Sequence, residues 1–115
     1  MTYPTAWQFL KITSDTEHKT DILIKVFASW YDSWRLNSGC TKIEDDGVYW
    51  VVTGESGSTY YLRKNSRATA SAYAESVLCN LLNILPENVK IEKISVEEAI
   101  KEVEERDEVR MWGYE

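Results

Sequence analysis

The residues that could perform acid–base or nucleophilic chemistry are few in this chain of 115 residues. His18 is its single histidine and lies in a polar stretch, while Cys40 and Cys79 are its two cysteines and form no CxxC pair. A Ser-His or Cys-His nucleophile would have to use His18, and a zinc site needs more His and Cys ligands at shorter spacing. The sequence therefore predicts a protein that is not an enzyme, with no catalytic residue, no metal site and no cofactor.

The segment "EDDG" over residues 44–47 offers three carboxylates that could hold Ca²⁺ or Mg²⁺. It ends on Asp46-Gly47, a pair that favours a tight hairpin because both central residues of a type I′ turn need positive φ. Asp is also common in turns because its carboxylate accepts hydrogen bonds from nearby backbone amides. We therefore interpret the segment as a turn between two strands.

The segment "TGESGSTYYLRKN" over residues 53–65 combines glycines and serines with cations, as a phosphate-binding loop does. A phosphate loop leads from a strand into a helix, whereas "TYYLRK" has the composition of a strand, so a hairpin loop is favoured. A small-ligand or nucleotide site remains the alternative function. It would use these residues: Ser56, Ser58, Arg63 and Arg35 for an anion, and Tyr61 for stacking.

The first two thirds of the chain read mainly as strands. Residues 5–13 fit a strand or a helix, and residues 21–30 favour a strand although helical spacing also fits. Residues 33–46 read as one long strand interrupted at Ser38-Gly39, and two further strands follow at 48–53 and 59–64. Short connections between these strands indicate an antiparallel β-meander of about four to five strands.

A change of period predicts helices after the meander. Apolar residues recur at steps of three and four from Ser66 to Leu85, which predicts one long helix with Ser66 as its N-cap and Pro86 beyond its end. A short strand over 89–94 follows. "SVEE" from Ser95 then opens a second, acidic C-terminal helix with a capping box. We therefore expect an α+β fold in a single domain over 1–115, with the meander packed against the long helix.

The charge distribution bears on the kind of partner. The net charge is −6, and residues 87–115 hold ten carboxylates against five cations. Such a tail repels a duplex, and no basic stripe supplies the phosphate contacts on which nucleic-acid affinity depends, so direct nucleic-acid binding is disfavoured. An acidic surface suits a basic or nucleic-acid-binding protein partner.

The location is expected to be cytoplasmic. No apolar run approaches the roughly 20 residues of a membrane span, and the first residues lack the pattern of a secretory signal. Two unpaired cysteines also suit a reducing compartment. We therefore expect no membrane partner.

The function predicted from these features is that of a small, acidic, non-enzymatic protein-binding protein, an inhibitor or modulator of a larger protein. Carboxylates would supply steering and register, and exposed aromatic rings would anchor the contact. A structural or assembly role, with a possible homodimer, is a further alternative. The expected protein-binding residues are Glu97, Glu98, Glu102, Glu104, Glu105, Trp112, Tyr114 and Trp34.

The order "SWRLNSG", then "SGSTYYL", then a helix resembles small uncharacterised bacteriophage proteins over about residues 30 to 82. That group implies no known activity and no site residues. The resemblance implies a viral or mobile-element setting, hence the host cytoplasm, in which small acidic proteins act against host defence. An anti-defence role is an analogy from that setting.

Overall fold

The computed structural model describes residues 1–83 and 85–113, with side chains described up to residue 106. Within this part of the chain, seven strands form two antiparallel sheets and two helices accompany them. The elements are β1 (Ala6–Asp15), β2 (Thr20–Ser29), β3 (Trp34–Leu36), β4 (Cys40–Asp45), β5 (Tyr49–Gly54), β6 (Thr59–Arg63), α1 (Ala72–Asn83), β7 (Val89–Ile94) and α2 (Val96–Gly113).

A long hairpin of β1 and β2 forms the centre of the molecule. The two ten-residue strands pair without a break from Ala6 opposite Ser29 to Asp15 opposite Thr20. The segments 5–13 and 21–30, which the sequence left between strand and helix, are therefore both strands. Their aromatic and branched side chains suit a pleated surface that is buried on both sides.

Two sheets are built around this hairpin. The central sheet has the order β3-β2-β1-β7, and the outer sheet has the order β4-β5-β6. On one face of the central sheet, Leu10 and Phe27 pack with Ala74 and Leu78 of α1. The opposite face carries a larger cluster to which β1, β2, the outer sheet and α2 all contribute: Trp7, Phe9, Ile24, Val26, Val52, Leu62, Ala99 and Val103.

The expected α+β fold, one meander packed on one long helix, is wrong. The protein is mostly β, and the meander β4-β5-β6 is only the outer sheet. Its inner face packs against the central sheet, so the strands that were expected to lie under a helix lie under another sheet. Alternation along each strand is the same in both arrangements, and for this reason the pattern does not reveal which partner covers a face.

The chain passes from the central sheet to the outer sheet at Asn37, which is almost completely buried. The Asn37 N–H donates to the Val26 carbonyl at 3.1 Å, and the Val26 N–H donates to Asn37 Oδ1 at 2.8 Å. The side chain thus replaces a backbone carbonyl and completes the pairing of β2 after β3 ends. Because Gly39 follows with a φ of 132°, the backbone can turn away immediately. The segment 33–46 is consequently two strands in two different sheets.

Helix α1 also differs from the expectation, because it begins at Ala72 rather than near Ser66. The preceding residues bond to the central hairpin instead: the Trp7 N–H donates to the Arg67 carbonyl, and the Ala70 N–H donates to Ser29 Oγ. Ser71 is the N-cap, since its Oγ accepts from the Ala74 N–H at 3.1 Å. The single helix expected over Ser66–Leu85 is therefore reduced to 12 residues.

Helix α2 occupies the acidic segment that the sequence assigned to a second helix. Ser95 precedes it, and Ser95 Oγ accepts from the Glu98 N–H at 3.1 Å, as an N-cap does. Neither α2 nor any other helix in the described part of the chain is long and apolar enough to cross a membrane.

Candidate functional site

The acidic face of α2, defined here as Glu97, Glu98, Glu104 and Glu105, is exposed to solvent. Residues seven apart lie almost two turns apart, so Glu97 with Glu104 and Glu98 with Glu105 share one side of the helix. Lys101 lies between them, which leaves this side with a net negative charge. None of the four carboxylates forms an ion pair with another described residue.

Glu102, the fifth acid predicted for partner binding, is used inside the protein. Its Oε1 lies 2.9 Å from Lys11 Nζ on β1, and the two side chains are only 18% and 21% exposed. The hydrogen bond from Lys11 to this carboxylate raises the pKa of the lysine. Together with Ala99 and Val103, which are buried in the core, the pair holds α2 against the central sheet.

The aromatic residues expected beside the acidic helix are not brought to it. The Trp34 ring stacks on Phe27 at 5.7 Å, and Phe27 belongs to the cluster on the α1 face of the central sheet. Since α2 packs on the other face, the central sheet separates Trp34 from the acidic face. The side chain of Trp112 and the whole of Tyr114 lie outside the described residues.

The glycine–serine loop between β5 and β6 is the predicted hairpin loop, and its amides are already bonded. The N–H groups of Gly54, Glu55 and Gly57 donate to the carbonyls of Ser58, Gly39 and Gly54. The Ser56 N–H donates to Ser38 Oγ at 3.0 Å. With these donors used inside the loop, it does not form the cradle of amides that holds a phosphate.

The segments that contain Ser38 and Ser56 meet at this loop. Ser38 and Ser56 join their hydroxyls at 3.2 Å, and Ser56 reaches Ser58 at 3.2 Å. A Cβ added to Gly54 would lie 2.9 Å from Ser38 Oγ, so only glycine fits beside this serine without a shift. These contacts join the connection between β3 and β4 to the loop between β5 and β6.

The predicted ligand residues fall into separate places. Ser56 and Ser58 precede β6 and Arg63 ends it, so about 13 Å of strand separates them at 3.2–3.4 Å per residue. Arg35 is on β3, an edge strand of the central sheet. Only Tyr61 and Arg63 share a surface, because both alternate to the outward face of β6.

That outward face carries a tyrosine cluster, defined here as Tyr3, Tyr49 and Tyr61. Tyr3 stacks on Tyr61 at 4.8 Å with an interplanar angle of 14°, and Tyr49 meets both rings edge-on at 5.7 and 5.9 Å. Sequence reasoning missed Tyr3 because it lies outside every predicted element. It reaches the outer sheet because Thr2 pairs with β6, donating to the Thr59 carbonyl and accepting from the Tyr61 N–H.

A groove of about 540 Å³ runs beside this cluster and is lined by Tyr3, Val48, Tyr49, Arg63 and Asn65, among others. A second groove of about 470 Å³ shares Arg63 and Asn65 with it and adds Arg67. We call the two together the tyrosine–arginine groove. Lys64 also lines the first groove, but its Nζ pairs with Asp45 and lies 4.7 Å from the centre of the Trp50 ring.

The candidate nucleophiles and bases, His18 and the two cysteines, do not line the tyrosine–arginine groove. His18 is almost fully exposed, with Glu17 as its nearest carboxylate at 3.9 Å. Burial raises the pKa of the Cys40 thiol to about 12, which keeps it protonated at neutral pH. In the described residues, no three His, Cys, Asp or Glu side chains are grouped as a metal site would require.

Residues Asp45 and Asp46 act as turn formers. Asp46 Oδ1 accepts from the N–H groups of Val48 and Tyr49, and Asp45 Oδ1 accepts from the Gly47 N–H and from Lys64. The two bonds to Asp45 hold the pKa of its carboxyl below the usual range, and the bond from Lys64 is the main cause.

Comparison with protein-family models, with curated proteins and with solved structures found no match for this chain.

Proposed function

We propose that this protein is a non-enzymatic binding protein that docks on a basic protein through the acidic face of α2. In this role it inhibits or modulates a larger protein that has a positively charged, nucleic-acid-binding surface. The same proposal includes a viral setting, in which the larger protein is part of host defence.

The proposal is supported by the different roles of the two sides of α2. One side of the helix is anchored by Ala99, Val103 and the Glu102–Lys11 pair. The other side presents four carboxylates around the single cation Lys101, and none of the four forms an ion pair within 4 Å with a described residue. Charges on a rigid element keep a fixed spacing, so they can meet complementary charges without ordering a loop on binding.

A basic partner follows from the sign of this field. Opposite fields speed encounter and select the partner's register, and the effect falls with added salt because the Debye length is about 8 Å at physiological ionic strength. A protein that binds nucleic acid carries a surface of the required sign. Competition with nucleic acid for that surface would give inhibition.

The proposal is tested with the triple variant Glu97→Lys, Glu104→Lys, Glu105→Lys. The probe is a ten-residue peptide of alternating lysine and serine, titrated by calorimetry and followed by NMR on labelled protein. We expect about tenfold weaker binding than for the wild type, because three attractive charges become repulsive. In the wild type, the largest shift changes should lie on α2.

The matched control is Glu17→Lys, Asp21→Lys, Glu87→Lys, which makes the same change of net charge with three other exposed residues. We expect this control variant to bind the peptide less than about threefold more weakly than the wild type does. Equal losses in the two variants would mean that only net charge matters, and the proposal would then be wrong. Proteins captured by the wild type but not by the α2 variant can then be identified as partners.

A further inference from the structure

The tyrosine–arginine groove is a basic concave surface, lined by Arg63, Lys64 and Arg67. None of the residues that line its two parts is a carboxylate, although the chain contains 19 acidic residues. Arg63 and Arg67 are both exposed, and neither forms an ion pair with a described residue. The groove therefore favours an anion in a protein whose total charge is −6.

One wall of the groove is a flat aromatic surface. Tyr3 covers Tyr61 with one face of its ring and is still 50% exposed. Because Tyr3 also lines the groove, the uncovered part of its ring is open to a stacking partner. Its orientation is held by the Tyr61 stack and the Tyr49 edge contact, so little order has to be imposed on binding.

The Thr2 pairing with β6 ends at the residues that line the groove. The register of β5 and β6 directs the N–H of Arg63 and the carbonyl of Tyr61 away from β5, to the side where Thr2 bonds. Thr2 uses the neighbouring Thr59 carbonyl and Tyr61 N–H, but Pro4 has no N–H with which to continue the pairing. We find no hydrogen bond from a described residue to the Arg63 N–H or the Tyr61 carbonyl.

We propose that the tyrosine–arginine groove binds a nucleoside monophosphate, with the base stacked on Tyr3 and the phosphate held by Arg63 and Arg67. Guanidinium groups bind phosphate oxygens through paired hydrogen bonds, and tyrosine rings stack on any base. The combined grooves have the size of ordinary small-molecule sites.

This proposal is independent of the acidic face, since the groove is lined by residues 3–5, by the outer sheet and by the connection from β6 to α1. The α2 triple variant should therefore bind the nucleotide as the wild type does. Failure of either proposal leaves the other standing.

The test is calorimetric titration of the full chain with adenosine monophosphate, adenosine and inorganic phosphate, accompanied by thermal unfolding. A ligand that binds only the folded state raises the melting temperature. We expect the monophosphate to bind at least tenfold more tightly than adenosine or phosphate alone. Equal binding of phosphate and the monophosphate would overturn the stacking, and no binding of the monophosphate at millimolar concentration would overturn the proposal.

Variants locate the site. The monophosphate should bind about tenfold more weakly to each of three variants: Arg63→Gln, Arg67→Gln and Tyr3→Leu. Arg35→Gln and Tyr31→Leu are the matched controls, because both residues are exposed and line neither part of the groove. Equal weakening by the controls would overturn the assignment to this groove, and tighter binding of a ten-residue single-stranded oligonucleotide than of the monophosphate would overturn the choice of a free nucleotide.

Discussion

At the scale of single residues, the pair of Lys11 and Glu102 has the clearest energetic role. It joins the middle of β1 to the middle of α2, and both side chains are largely shielded from water. Screening is weaker there than at an exposed pair, so this contact stabilises the fold more than most surface ion pairs do. Glu102 is thereby removed from the set of partner-binding acids that the sequence predicts.

Replacing Lys11 with Met should lower the free energy of unfolding by about 1 kcal/mol at pH 8, since Glu102 loses its partner. The loss should shrink at high pH. The pKa of Lys11 is raised in the folded state, so the contribution is fully present below the unfolded value of about 10.4 and is lost as the pH rises through the folded value. Urea unfolding of both proteins at pH 8 and above pH 11 measures this difference.

The control for this experiment is Lys90→Met, which removes a cation that pairs with Glu92 while 71% exposed. It should change the free energy of unfolding by less than about 0.5 kcal/mol at pH 8. A difference between wild type and Lys11→Met that is independent of pH would show that the lysine acts by packing alone.

The two cysteines should differ strongly in reactivity. Cys40 is buried and its thiol pKa is raised to about 12, whereas Cys79 is exposed on α1. With an aromatic disulfide reagent at pH 8, we expect one thiol per chain to react rapidly and the second only after denaturation. The variant Cys79→Ser should lose the rapid phase, and a rapid phase that survives in it would contradict the buried position of Cys40.

At the scale of elements, the start of α1 shows how tertiary contacts override a local pattern. Ser66 precedes a helix-like run of residues, yet its Oγ donates to the Thr5 and Arg67 carbonyls and caps no helix. The backbone around it bonds to the central hairpin, and those bonds exclude the helical conformation before Ser71. Helical periodicity therefore overstates the helix by about six residues here.

Substitution of the two serines distinguishes the expected cap from the observed one. Ser71→Ala should lower the free energy of unfolding by about 1 kcal/mol, because the Ala74 N–H loses its acceptor. Ser66→Ala should cost less than about 0.5 kcal/mol, since its bonds are exposed. Urea unfolding followed by circular dichroism gives both values, and the reverse order would contradict the observed helix start.

At the scale of the whole molecule, the hairpin of β1 and β2 contributes residues to both hydrophobic clusters. Leu10 and Phe27 belong to the α1 cluster, and Phe9 and Val26 belong to the cluster with the outer sheet and α2. Since adjacent residues of the same strands serve both clusters, neither can separate while the other stays intact. We therefore expect one cooperative unfolding transition, in keeping with the predicted single domain.

Leu78→Ala should lower the free energy of unfolding by about 3 kcal/mol, because Leu78 is fully buried against the central sheet. In a Trp34→Phe background, which removes the tryptophan stacked on Phe27 of the α1 cluster, tryptophan fluorescence includes Trp7 and Trp50 of the other face and should shift to lower urea together with the helical signal. The control Tyr73→Ala, at a half-exposed position of α1, should cost under about 1 kcal/mol. Separate transitions for the two signals would show that the faces unfold independently.

Local chemistry made the turns and several strands predictable. Asp46-Gly47 and the glycine–serine loop lie in hairpin connections of the structure, each with a glycine at positive φ. The φ of Asp46 is not positive, so the first connection is not the type I′ turn that the Asp-Gly pair suggests. The alternation along β6 also places Tyr61 and Arg63 on one face, because side-chain direction in a strand depends only on parity. Such features need only the neighbouring residues.

Which elements pack against each other was not predictable in the same way. Nothing local distinguishes a strand that lies under a helix from one that lies under a second sheet, and Asn37 looks like any polar residue until Val26 is beside it. Tyr3 joins the tyrosine cluster only because Thr2 bonds to β6, at a sequence separation of nearly 60 residues. The alternation of side chains therefore settles which residues share a face, whereas the long-range hydrogen bonds and packing of the folded chain settle what that face meets.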